Sequence, residues 1–117
     1  MQRTLKVWGE RWLLRQDSTH ATSVLFLKKG TKCSFHHHQA KFNLFVVLKG
    51  KIGIRTQYGE VVLTKGQEFT TYPGDEWKHE FKVYEDSMVV EEMYVSYEEG
   101  DIIRDNVGGV LEDEQSK

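Results

Sequence analysis

The sequence predicts an all-β domain, a sandwich or barrel, on three observations. Residues of strand type fill almost every segment. Turn signals recur about every 8–12 residues, the spacing of a sheet-built fold. No stretch keeps a helical period for more than two turns.

Taken in order, the opening MQRTLKVWGERWLLRQ carries Trp8 and Trp12, which lie on one side of the segment if it is a strand. Both are expected to pack in a core or an interface. ATSVLFLKK, at residues 21–29, is rich in apolar and β-branched residues and is closed by Gly30. NLFVVLKGKIGIRT reads as two strands joined at Lys49-Gly50, and Tyr58-Gly59 marks the next turn, into EVVLTKG. GQEFTTYPG, WKHEFKVY and SMVVEEMYV follow as strands, with Pro73-Gly74 in a loop. A short helix or turn is expected near Tyr97–Asn106. The whole of 1–117 reads as one domain, with a polar tail from about residue 111.

Composition excludes several classes. A formal net charge of -2, with 16 basic residues scattered along the chain, gives no footprint for nucleic acid. No apolar run approaches membrane-spanning length, so no membrane partner is expected. The opening lacks the apolar core of a signal peptide, and the single cysteine cannot form an internal disulfide. A cytoplasmic setting is the expectation. By strand alternation Cys33 and Phe35 share an outward face, which suggests cover by another strand or a partner subunit.

The run GTKCSFHHHQAKFNLFVVLKG, from Gly30 to Gly50, holds the chemistry. His36 and His38 stand at i and i+2 of a strand and converge on one face, while His37 faces the other way. Two convergent imidazoles on a rigid strand are half of a metal site. Further along, one of Glu91 and Glu92 must face inward by alternation, and Glu68 is a third carboxylate near the site. An inward glutamate could serve as a ligand or as a general base.

The spacing of Gly30, His36, His38, Asn43 and Gly50 resembles the first cupin motif, with Asn43 where that motif carries glutamate. Gly66, Pro73, Gly74 and His79 resemble the second, with Trp77 at the usual histidine position and His79 two residues later on the same strand face. The resemblance implies a cupin double-stranded β-helix, a jelly-roll barrel. Val7-Trp8-Gly9 and EEGDIIRDNVGG resemble the flanks of the cupin domain of type II mannose-6-phosphate isomerases, the isomerase halves of mannose-1-phosphate guanylyltransferases. Lys41 then falls on the basic residue two before the family's glutamate, and Arg104 on its closing arginine. Val107-Gly108-Gly109 replaces the Tyr-Gly-Arg of those relatives.

The resemblance implies a divalent transition metal (Zn, Mn, Fe or Ni) held by His36, His38 and His79, with Asn43 as a weaker, neutral oxygen donor. The substrate implied is a sugar or sugar phosphate. Lys41 and Arg104 would hold a phosphate, Phe45 would wall the site, and Trp77 would floor a pocket where its indole stacks on a sugar ring. The implied activity is aldose–ketose isomerisation. A non-catalytic sugar-binding module and an iron-dependent dioxygenase are the alternatives, and a homodimer is the expected assembly.

Overall fold

In the computed structural model, residues 1–33, 41–74 and 77–94 are described in full, and 36–37, 103–104 and 109–110 by their backbone. The strands are β1 (Gln2–Lys6), β2 (Gly9–Gln16), β3 (His20–Leu27), β4 (Thr31–Lys32), β5 (His36–His37), β6 (Phe42–Lys49), β7 (Lys51–Thr56), β8 (Gly59–Thr64), β9 (Glu68–Thr71), β10 (His79–Val83), β11 (Ser87–Tyr94), β12 (Ile103–Arg104) and β13 (Gly109–Val110). They form two sheets. One runs β1-β2-β3-β11-β6-β9. In the other, β10 pairs with β4, β5 and β7, β8 extends β7, and β12 and β13 border β5 and β4.

Alternation builds the core between the sheets. In β6, Asn43, Phe45 and Val47 are buried while Phe42, Leu44 and Val46 are only partly covered. Leu25, Leu27, Val89, Ile52, Ile54, Leu63, Phe81 and Val83 meet Phe45 and Val47 in one apolar cluster. The tight turns fall at Lys49-Gly50 and Tyr58-Gly59, where the sequence places them.

Gly50 is locked in its turn. Its φ is +96°, and an added Cβ would lie 2.5 Å from the Asp86 carbonyl oxygen. Gly50→Ala should lower stability by about 1–3 kcal/mol from the left-handed backbone alone, with the overlap adding to it. Urea unfolding checks this; an unchanged midpoint would show the corner to be compliant.

Asp17 pins the turn between β2 and β3. Its Oδ1 accepts from the amides of Thr19 and His20, each at 2.8 Å. Those bonds, the Thr19 hydroxyl and Arg15 hold its carboxyl down to about 2, against an ordinary 3.8. The unfolded chain therefore takes up the proton first on acidification. The stability Asp17 contributes is present above pH 3.8 and lost as pH falls towards 2. Urea midpoints of the parent and Asp17→Ala should converge over that window; a constant gap would refute the assignment.

Several expectations change. The N-terminal segment is a hairpin, so Trp8 sits in its turn, edge-on to Phe81 at 5.4 Å, and Trp12 sits on β2, donating to Glu10. Cys33 is in the core, not on an outer face. The Phe81 amide donates to its sulfur at 3.0 Å, and burial pushes the thiol far above its ordinary pKa. Parity counted from one long strand fails here because β4 ends at Lys32 and β5 begins only at His36. Of the expected helix or turn near Tyr97–Asn106, residues 103–104 are a strand and the rest lies outside the described residues, as does the polar tail. No helix among the described residues is long and apolar enough to cross a membrane.

Candidate active site

At one end of the barrel the inner face of the first sheet turns polar. Asn43 on β6 stands opposite Met93 on β11 and Thr71 on β9. One step deeper, Glu91 stands between Phe45 and Ser23. Directly opposed residues share a face, so Glu91 points into the barrel. Glu92 points out and accepts from the Thr22 hydroxyl at 2.8 Å. Glu68, on the outward parity of β9, is exposed.

Asn43 and Glu91 form the central pair. Asn43 Nδ2 donates to Glu91 Oε2 at 2.9 Å. The Asn43 side chain is fully buried, yet its Oδ1 has no hydrogen-bond partner among the described residues. Ser23 Oγ and Arg11 Nε are buried in the same condition. Such a concentration of unspent polar atoms in a core costs stability unless something binds there. Burial is the main influence on Glu91 and raises its carboxyl above the ordinary 4.5, while Arg11, the Asn43 bond, Lys6 and Lys41 hold it down. A carboxyl poised by burial against nearby cations is suited to moving protons.

Arg11 is a site residue the sequence reading missed. It stands opposite Leu25 on β3 and so faces the same interior as Glu91. Alternation in GERWLLRQ carried that signal, since Gly9, Arg11 and Leu13 share one parity.

The second sheet contributes His79, the first residue of β10 and only 2% exposed. Its Nδ1 donates to the Trp77 carbonyl at 2.9 Å, and its ring meets Phe45 edge-on at 6.0 Å. In register, His79 stands opposite Thr56 on one side and His36 on the other, and Arg104 follows beyond His36. The backbone thus aligns three residues singled out in the sequence; the side chains of His36 and Arg104, and all of His38, lie outside the described residues.

Three more sequence candidates can be placed. Phe45 is buried in the core, edge-on to His79. Lys41 is 2% exposed, just before β6, rather than a solvated surface charge. Trp77 departs from expectation. It precedes β10, its amide donating to the Gly74 carbonyl at 3.1 Å, so strand parity with His79 does not apply. Its ring packs against Tyr72 and Tyr58 at 5.0 and 5.7 Å, and it reaches His79 through its main chain.

The donor types on the two facing sheets, imidazole nitrogen and amide and carboxylate oxygen, are among those a divalent ion takes. A carbonyl can only accept, so the Trp77 bond fixes the proton on His79 Nδ1 and leaves Nε2 as the nitrogen that carries the lone pair. Asn43 Oδ1 and the Glu91 carboxylate are oxygen donors on the facing sheet. The described residues alone contain no group of three His, Cys, Asp or Glu that could hold a metal.

No family model and no curated protein matches the sequence. Solved structures match the fold. KdgF from Halomonas sp. is similar with a TM-score of 0.71 and 16% identity, over 80% of this chain and 87% of that one. Pac13, a nucleoside dehydratase, is similar with a TM-score of 0.77 and 10% identity, over 91% and 85%. A cupin-2 domain protein from Shewanella frigidimarina is similar with a TM-score of 0.63 and 13% identity, over 77% and 83%. At such identities the likeness carries the fold alone. With its all-β strand order and these neighbours, the chain is a small cupin-fold domain, a double-stranded β-helix with a polar interior at one end.

Proposed function

We propose that this protein is an acid–base enzyme of the sugar-phosphate isomerase type, with Glu91 as the group that moves the proton. One observation carries the reading: the carboxylate absent at Asn43 is supplied from the adjacent strand by Glu91, bonded to the Asn43 amide at 2.9 Å. In aldose–ketose isomerisation Glu91 takes the proton from the carbon beside the carbonyl and returns it to the former carbonyl carbon. A proton passes between the two oxygens in the same conversion, leaving the net composition unchanged. Asn43 orients the Glu91 carboxylate, Phe45 keeps water from one side of it, and Arg11 offsets its charge. Lys41 and Arg104 are the proposed anchors for a phosphate, and Trp77 with Tyr72 and Tyr58 forms an aromatic border beside His79. A divalent ion on His36, His38, His79 and Asn43 would supply Lewis acidity at the carbonyl oxygen.

The test is exchange of substrate carbon-bound hydrogen with deuterated solvent, followed by NMR over a panel of aldose and ketose phosphates with Zn, Mn, Fe or Ni. Exchange beside the carbonyl is expected. Ligand-dependent thermal stabilisation with no exchange would instead support a sugar-binding module, and oxygen uptake with iron a dioxygenase. A second reading, loss of water from a nucleoside, draws on the same base and on the aromatic Trp77–Tyr72 border. The nucleoside dehydratase among the structural neighbours is why uridine belongs in the panel.

The proposed assembly is a dimer through the outer face of the first sheet, where Val24, Val90 and Val46 form one cross-strand row. β2, β3, β6 and β11 each run eight residues. At about 3.4 Å per residue and 4.8 Å between strands they span roughly 500 Å² before side-chain relief, the scale of a standard interface of about 800 Å² per partner. Val46→Glu should shift the sedimentation coefficient from dimer to monomer; a parent that is already monomeric refutes the assembly.

A further inference from the structure

The end of the barrel away from His79 carries a second concavity. β6 runs from Asn43 at the polar end to Lys49 at the far end, about 20 Å in six steps. There the β1–β2 turn and the corners after β3, β6 and β10 enclose an open groove of about 1010 Å³. Its lining joins Phe26 and Met88 to four lysines, Lys6, Lys28, Lys29 and Lys49. That volume matches the upper range of small-molecule pockets.

Lys6 lies in the field of Glu91, but the other three lysines are not paired with the acids of the lining. Lys28, Lys29 and Lys49 take part in no ion pair among the described residues. The two acids of the lining are already engaged. Arg3 forks onto Glu10, and Asp86 Oδ1 accepts from the Lys29 amide at 2.9 Å. The groove is therefore electropositive in a chain whose formal charge is -2. Phe26, 43% exposed, offers an apolar surface inside it.

The frame is rigid. The Lys28 amide donates to the Trp8 carbonyl at 2.8 Å, and the Thr31 hydroxyl donates to the Lys28 carbonyl at 2.6 Å. Gly9 lies so close to β3 that an added Cβ would overlap the Phe26 carbonyl oxygen. Lysine tails on a fixed corner, beside an apolar floor, suit a ligand with a charged head and an apolar body.

We propose that this groove is a second binding site, for a small amphipathic anion whose head meets Lys28, Lys29 and Lys49 and whose apolar body lies on Phe26 and Met88. The site lies outside the barrel interior and does not rest on the acid–base reading; Phe26 and Met88 continue the outward face of the Val24–Val90 row, so the anion and the proposed dimer partner compete for this end of the first sheet. A concave groove admits such a molecule along its floor, whereas a flat membrane surface would reach only the rim.

Calorimetric titration with octyl phosphate, below the concentration at which it aggregates, tests the proposal. Octyl phosphate should bind at least tenfold more tightly than inorganic phosphate or octanol, since each of those meets only half of the site. Binding should weaken between 50 and 500 mM salt, because exposed charges are screened. The double variant Lys28→Gln with Lys29→Gln should lose at least tenfold in affinity. Lys49→Gln, a single exposed change, gives the same direction should the double variant fold poorly. Equal binding of octanol, salt-independent binding, or full affinity in the lysine variants overturns the site. So does loss of binding in Glu91→Gln, which would place the ligand in the barrel interior; unchanged affinity there supports the far groove.

Discussion

Glu91→Gln is expected to cut proton exchange by about 10²- to 10⁴-fold, the range for losing a general base, while leaving the fold intact. Glutamine keeps an oxygen to accept from Asn43 Nδ2, so the geometry of the pair survives and only the titrating group is removed. The same substitution has a signed effect on stability. The Glu91 carboxyl is raised above 4.5 mainly by burial, so the folded chain holds a proton over a window in which the unfolded chain has released it. Stability from this group is greatest below pH 4.5 and falls as pH rises through the folded-state value. Glu91→Gln lacks that decline. On chelator-treated protein its melting temperature should match or exceed the parent's at neutral pH, with the difference growing from pH 4.5 upwards. A variant that keeps full exchange activity removes Glu91 from the chemistry. One that loses stability at neutral pH shows that Arg11 and Lys41 need the charge more than burial opposes it.

His79→Ala is expected to abolish near-stoichiometric metal. Elemental analysis on protein purified without a histidine tag reads this directly. Loss of even an orienting partner of a ligand costs about 10- to 100-fold in metal affinity, and loss of the ligand itself should cost more. The substitution also empties space against Phe45, so a fall of about 2–4 kcal/mol in stability is expected as for other buried truncations. His79→Gln, which restores much of the volume and a polar end, should recover stability without recovering metal. That separates ligation from packing. Full metal content in His79→Ala, or none in the parent after exposure to Zn, Mn, Fe and Ni, ends the metalloenzyme reading.

The legible part of this protein was local. Turn chemistry placed the corners at Lys49-Gly50 and Tyr58-Gly59, because left-handed backbone selects glycine wherever it occurs. Alternation in FNLFVVLK put Asn43, Phe45 and Val47 on one buried face, as the structure has them. The spacing of the histidines, with the motif resemblance, led to the fold and to the end of the barrel where His79 meets Phe45.

What depended on tertiary structure was the direction of each face. In SMVVEEMY both parities are apolar, Val89 and Met93 on one and Met88 and Val90 on the other, so a period of two cannot tell which glutamate turns inward. Pairing with β3 and β6 decides it by setting Glu91 between Ser23 and Phe45. Cys33 moved to the core because a break in the strand cancels any parity counted across it. Arg11 joined the site because neighbours 80 residues away in sequence, on β11, supply its counter-charge. By itself the sequence determined the strands, their turns and which residues share a face. Folding decided which faces meet, because that choice rests on pairing between strands distant in the chain, which no local pattern encodes.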